Sequence, residues 1–160
     1  MQSTPSSSSA PVATLASSGK YLTFQVGGEH YGIPVERTRE IIRVSKITGV
    51  PQMPEHVKGV INLRGRIVPV VDLRVRFGLS NPEIHERTCI IVVQITNAAG
   101  GTSALGLMVD AVEEVVSLAA ADMEPPPEVV ARHDASHITG MAKIKGSLKT
   151  LLDLDRLLAA

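Results

Sequence analysis

The chain has 160 residues, with 16 Lys plus Arg matched by 16 Asp plus Glu and a formal net charge of zero at pH 7. Such a length holds one domain or two very small ones, and the neutral balance offers no basic field for a phosphate backbone, so nucleic acid is not an expected partner. Trp is absent and the aromatics are Tyr21, Tyr31, Phe24 and Phe77, so Val, Ile and Leu must build the core.

Residues 1–19 are Ser-rich ("STPSSSSAPVATLASSGK") and read as a disordered tail, because they carry too little apolar surface to offset ordering entropy. They lack a charged leader and a sustained apolar stretch, so no secretory signal is expected. The one cysteine, Cys89, excludes an internal disulfide and favours a reducing, cytoplasmic compartment. The longest apolar run, Cys89 to Val93, is far below the roughly 18 residues of a span, so direct membrane insertion is not expected.

In chain order, Leu22, Phe24 and Val26 alternate with Tyr21, Thr23 and Gln25, the pattern of a strand. Gly27-Gly28 is a two-residue hairpin turn, and Tyr31, Ile33 and Val35 alternate again, with Pro34 near the end of this strand marking an edge or a stop. "VERTREII" predicts a short helix with Val35, Thr38 and Ile41 or Ile42 on one side. Pro51 and Pro54 break the next stretch. Two apolar arms follow around a Leu63-Arg64-Gly65-Arg66 corner: Val57, Gly59, Ile61 and Leu63 alternate, as do Ile67, Val71 and Leu73, interrupted by Pro69. Asp72 caps a short helix through Phe77, and Gly78 ends it. "TCIIVVQIT" predicts a buried strand, Gly100-Gly101 a loop, and Leu105, Leu107 and Val109 a further strand. After Pro125-Pro126-Pro127 comes "GMAKIKGSLKTLLDLDRLL".

The second half repeats the first. "YGIPVERTREII" (31–42) lies over "LGLMVDAVEEVV" (105–116), and "GVINLRGRIVPVVDLRVRF" (59–77) over "GMAKIKGSLKTLLDLDRLL" (140–158). Gly32 meets Gly106, Val35 meets Val109, Glu40 meets Glu114, Arg64 meets Lys145, and Asp72-Leu73 meet Asp153-Leu154. The offsets, 74 and 81, differ by an insertion in the Pro-rich connector. Two copies of one unit of about five short strands predict an all-β chain of two small barrels sharing an apolar seam, since neither is large enough to stand alone.

"PEHVKGVINLRGRIVPVVDL" resembles the signature of the CheW-like chemotaxis adaptors and of the matching regulatory domain of the histidine kinase CheA. "YGIPVERTREII" and "ALGLMVDAVEEVVSL" fall where that family has its counterparts, and the likeness spans residues 20–160. The resemblance implies two packed SH3-like five-stranded barrels with short helices, one at the C-terminus, the first barrel at about 20–86 and the second at about 87–160, with edge strands shared. It implies a scaffold with no active site and no cofactor. Such a protein is expected in the cytoplasm at receptor arrays, holding the regulatory domain of a CheA-type kinase beside the helical tip of a methyl-accepting chemoreceptor.

Mapped onto this chain, the resemblance points to Val35, Thr38 and Ile41 from the first copy and Val109 and Val112 from the second as walls of a receptor groove between the barrels. Thr38 departs from the family, where an aliphatic residue is common. Arg64 is tied to receptor coupling in the family. A turn arginine must leave the sheet, its five donors can hold a carboxylate or carbonyls of a partner, and a pair with Glu40 would order the groove wall. Ile47, Val50 and Val57, in a Pro-broken segment, are assigned to the kinase face. The alternatives are an adaptor of a related motility or biofilm array, and, from another class, a tandem SH3-like RNA-binding module; neutrality and few aromatics oppose the latter. An enzyme with a pocket in the seam is a third, and it lacks a paired acid and base. His133 and His137 have helical metal spacing without a third ligand, so no metal site is expected. Asp72 and Asp153 read as helix caps, and Cys89 as a core thiol, not a nucleophile.

Overall fold

The computed structural model describes residues 18–79, 82–131 and 137–158. Residues 1–17 of the Ser-rich segment and His133 lie outside the described residues, whereas Gly19, expected in the tail, opens the first strand.

Strands β1 (Gly19–Val26) and β2 (Glu29–Pro34) form the expected hairpin, with Gly27 and Gly28 at φ 60° and 85°. The helix expected over "VERTREII" is corrected. Val35–Arg37 make a single 3₁₀ turn, and Thr38–Arg43 form strand β3, paired with β6 (Cys89–Thr96). Three-residue spacing of Val35, Thr38 and Ile41 imitates a helix face. Thr38, Ile41 and Ile42 are β-branched, though, and an open strand edge at β6 decides for the sheet.

β4 (Val57–Leu63) and β5 (Arg66–Asp72) are the expected second hairpin. Its phase differs from the expected one in the second arm. Val68, Val70 and Val71 are buried, and Ile67 is 67% exposed. Pro69 sits where β5 pairs β4 alone; pairing with β7 (Thr102–Val109) begins at Val70, so no ladder bond is lost there. Asp72 caps the one-turn helix α1 (Leu73–Arg76), its carboxylate accepting from the Arg74 amide at 3.0 Å, and Gly78 ends it at φ 95°. The second half follows with β8 (Ala111–Leu118), the short β9 (Met123–Glu124), α2 (Glu128–Ala131), β10 (Ile138–Ile144), β11 (Ser147–Leu152) and α3 (Leu154–Leu157), capped by Asp153.

The strands gather into two sheets, β3-β6-β7-β5-β4 and β8-β1-β2-β11-β10-β9. These are the same sheet built twice. β3 corresponds to β8, β6 to β1, β7 to β2, β5 to β11 and β4 to β10. The one parallel pairing in each places Val70 opposite Gly106 and Leu151 opposite Gly32, repeat-equivalent pairs in identical register. A side chain at either glycine would strike its neighbours: a Cβ on Gly106 would lie 2.8 Å from Ile90 Cγ2, and one on Gly32 3.0 Å from Leu151 Cδ2. Closure is also shared, by the Thr48–Val60 bridge in one barrel and the β9–β10 pair in the other. β2 ends at Pro34 as read, but lies inside its sheet, not at an edge.

The two barrels do not divide at residue 86. Each repeat gives its first hairpin to the other barrel: β1-β2 join β8 to β11, and β6-β7 join β3 to β5. The largest apolar cluster is the seam between them, uniting Leu22, Phe24, Ile33 and Leu152 of one sheet with Val71, Ile91, Val93 and Leu107 of the other. Smaller clusters fill each barrel, around Ile61, Val70 and Ile90, and around Tyr21, Ala142 and Leu151. Barrels this small cannot bury enough surface separately, so the seam is the main core.

Candidate functional site

The β4–β5 hairpin turns through Arg64 and Gly65, both left-handed at φ 53° and 86°, a turn whose twist suits a two-residue hairpin. The sequence suggests Gly65 for this geometry; that Arg64 shares it is new. Asn62 stabilises the turn by accepting from the Gly65 amide at 2.8 Å. Arg64 projects outward with its side chain 70% exposed, and its guanidinium donates to Glu40 on the edge strand β3. The expected Arg64–Glu40 pair is therefore present. An ion pair this exposed contributes less than about 1 kcal/mol, so it orients Arg64 more than it holds the fold.

The second barrel repeats the arrangement. Lys145 and Gly146 are left-handed at φ 52° and 80°, and Lys145 Nζ lies 3.0 Å from Glu114 Oε1. Exposed apolar side chains flank both tips at matching positions: Ile41 and Ile67 on the first barrel, Val115 and Leu148 on the second.

Of the other residues expected at the receptor groove, Val35 and Thr38 are half-buried neighbours, the Thr38 hydroxyl donating to the Val35 carbonyl at 2.7 Å. That bond satisfies the hydroxyl whose presence departs from the family. Ile41 is 48% exposed. Val112 is half-buried on β8 and packs on the seam. Val109 is corrected: fully buried in the seam, it has no surface to offer a partner. Thr38, Glu40 and Ile41 stand on an edge strand of one sheet, and Val112 on an edge strand of the other.

The residues assigned to the kinase face do not share one environment. Val50 is exposed, Ile47 packs on the core of the first barrel, and Val57 packs on the seam. Val57 also lines a cavity of 540 Å³ beside Met53, Val75, Leu157 and Leu158, where the C-terminal helix meets α1. Sequence reasoning missed this cavity, because Leu157 and Leu158 reach it from a helix a hundred residues away in the chain.

Cys89 is half-buried and burial pushes its thiol pKa up, which fits a packing residue. Among the described residues no group of three or more His, Cys, Asp and Glu could hold a metal ion, and no helix is long and apolar enough to cross a membrane.

Two duplicated barrels, interlocked by exchanged hairpins and bearing matching charged tips, define a scaffold of the double SH3-like type. The family model "CheW-like domain" matches residues 20–160. The chain is 34% identical to the chemotaxis protein CheW of Klebsiella aerogenes, covering 88% of this chain and 82% of that protein. It is 31% identical to the chemotaxis protein CheW of Bacillus subtilis, covering 91% and 90%. The crystal structure of the scaffolding protein TtCheW from Thermoanaerobacter tengcongensis superposes with a TM-score of 0.78 at 34% identity, covering 89% of this chain and 94% of that one. The chain belongs to the CheW-like domain family, and its role is that of a chemotaxis adaptor, a scaffold.

Proposed function

We propose that this chain acts without chemistry of its own, in the cytoplasm at receptor arrays, joining the helical tip of a methyl-accepting chemoreceptor to the regulatory domain of a CheA-type histidine kinase. The receptor side comprises Arg64, Glu40 and Ile41 with Val35, Thr38 and Val112; the kinase side uses Val50, backed by Ile47 and Val57. The observation that carries the reading is Arg64. Its left-handed turn and its Glu40 partner hold an exposed five-donor cation in one direction, and a guanidinium fixed in this way is preorganised for a partner's carboxylate or carbonyls.

The test is a reconstitution with the cognate receptor fragment and kinase. Arg64→Ala should change folding stability by less than about 1 kcal/mol, since the pair is surface-exposed, while lowering receptor-coupled kinase activation. Unchanged coupling would remove Arg64 from the proposal. Val112→Asp should reduce receptor capture more than kinase capture. Equal loss of both would mean that the carboxylate has destabilised the seam, and that Val112 is core.

A further inference from the structure

The two barrels differ at one place that their symmetry should make alike. In the second barrel, Lys149 is 4% exposed and its Nζ donates to Glu113 Oε1 at 2.9 Å. Glu113 Oε2 takes Gln25 Nε2 at 3.0 Å and lies 2.6 Å from His30 Nδ1. Together these side chains form a linked polar plug in the second barrel.

The repeat puts Arg39 at the position of Glu113, Val68 at that of Lys149 and Ala104 at that of His30. The registers agree, since His30 lies opposite Gln25 and Ala104 opposite Gln94. None of the three can rebuild the plug. Ala104 ends at a methyl and Val68 has no ammonium. Arg39 is exposed and donates to the carbonyls of Glu36 and Thr38 at 3.1 and 3.3 Å. What remains beneath the Arg64 tip is a cavity of 260 Å³, floored by Val68 and Val92 and walled by Ala104.

Its rim is strongly one-signed. Arg39, Arg64 and Arg66 border it against one carboxylate, Glu40, which Arg64 already engages. Arg66 is exposed and has no carboxylate partner among the described residues.

We infer that this cavity receives a segment of a protein partner in which one apolar side chain is flanked by carboxylates, the side chain entering over Val68 and Val92 and the carboxylates meeting Arg39 and Arg66. Charge complementarity selects the segment. The inference deepens the proposed role of the Arg64 face and rests on it. A guanidinium rim favours planar carboxylates through paired donors, and an apolar floor rejects a charged side chain because nothing there would satisfy it.

The test titrates the labelled full chain, followed by amide NMR, with a capped Gly-Glu-Leu-Glu-Gly peptide, and with versions carrying Glu-Ala-Glu or Lys-Leu-Lys. The first should shift the amides of Leu63, Val68 and Ala104. The alanine version should bind about tenfold more weakly, as when a buried anchor is removed, and the lysine version should leave those amides unmoved. Ala104→Leu fills the cavity from an exposed strand position, and Arg66→Glu reverses the rim; each should abolish the shifts. Equal binding of the Lys-Leu-Lys peptide, shifts lying elsewhere, or full binding by both variants would overturn the assignment. If no peptide shifts these amides while Arg64→Ala still lowers receptor coupling, the cavity assignment fails and the adaptor reading stands.

Discussion

Among the described carboxyls, Glu113 is strongly sensitive to pH. Burial alone would raise its pKa. The hydrogen bonds from Lys149, Gln25 and His30 outweigh that, and the carboxyl falls from its ordinary 4.5 to about 2. A depressed carboxyl stabilises the fold above its unfolded pKa, and that stability drains away as pH falls toward the folded value. The shift corresponds to about 3 kcal/mol at neutral pH. Urea titrations of the wild type should therefore show a loss between about pH 4.5 and pH 2, and Glu113→Gln should flatten that window. Glu113→Gln should also cost about 3 kcal/mol at pH 7, because it strands the Lys149 ammonium in the barrel. A variant whose stability between pH 5 and pH 2 tracks the wild type would show that Glu113 does not set this dependence. Gly59 makes a sharper demand. A Cβ there would sit 2.0 Å from the Thr48 carbonyl oxygen at φ 144°, so Gly59→Ala must break the bridge that closes the first barrel. A loss beyond about 3 kcal/mol in denaturant midpoint is expected, more than the overpacking of Gly106→Ala, where the neighbours are side chains. Some of this was legible in the residues. The Arg64–Glu40 pair was one of the arrangements the residues allowed, because a turn-tip arginine leaves the sheet with its donors open to a nearby carboxylate. Val109 could not be told from a contact residue, because an alternating strand beside a seam is apolar for either purpose.

At the scale of elements, the hairpin ends are secured by two locks of similar design and inverted charge. At the end of β1, the Gly27 amide donates to Asp110 Oδ2 at 2.7 Å, and Asp110 Oδ1 lies 3.2 Å from Arg74 Nη1. At the end of β6, the Thr96 amide donates to Asp155 Oδ1 at 2.9 Å, and the same oxygen takes Arg37 Nη2 at 2.7 Å. Arg74 follows its helix cap as Asp155 follows its own, so the helix supplies the cation in one lock and the anion in the other. Their energies should differ with burial. Arg74 is 1% exposed, bound also to Asp72 at 2.9 and 3.1 Å and to the Glu83 carbonyl at 2.6 Å. Burial alone would lower its pKa, but Asp72 and Asp110 raise it. Arg74→Met should cost about 3–5 kcal/mol, since Asp72 is left buried and unpaired. Arg37 and Asp155 are each about one-third exposed, and a double-mutant cycle over Arg37→Ala and Asp155→Ala should return a coupling of about 1 kcal/mol or less. An Arg37–Asp155 coupling as large as the cost of Arg74→Met would contradict the burial argument. The strand β3 shows why elements are harder to read than residues. Its repeat partner, β8, carries the "VEEVV" run of a clear strand, so the repeat itself could have corrected the helix read over 35–42. Local periodicity favoured the helix, and pairing with β6 overrode it.

At the scale of the whole molecule, the duplication was visible in the sequence but the exchange of hairpins was not. Two repeats placed side by side and two repeats trading hairpins have the same periodicity, the same turns and the same apolar content. They differ in which strands meet, antiparallel β1 with β8 and β3 with β6, and parallel β2 with β11 and β5 with β7, and these pairings leave no mark of their own beyond the two small glycines of the parallel pairs. The exchange has a consequence that a side-by-side arrangement lacks: each half of the chain completes the other's barrel. The halves are also oppositely charged. Residues 1–86 carry 10 Lys plus Arg and 7 Asp plus Glu, whereas residues 87–160 carry 6 and 9, so a neutral chain divides into segments of +3 and −3. Some of the ion pairs cross this division, with Arg37, Arg74 and His30 from the first half meeting Asp155, Asp110 and Glu113 from the second. A protein cut once, between the exposed Glu86 and Arg87, should therefore keep its two pieces together on size exclusion at pH 7, held by the seam and the paired ladders. As pH falls from about 4.5 to 2, protonation of Glu113 removes its share of that hold, and Asp155, also depressed by Arg37 and Thr96 against the pull of burial, adds to the loss. The pieces should then separate at a lower urea concentration than at pH 7. If they elute apart at pH 7 without denaturant, each as a folded barrel, the hairpins are not exchanged.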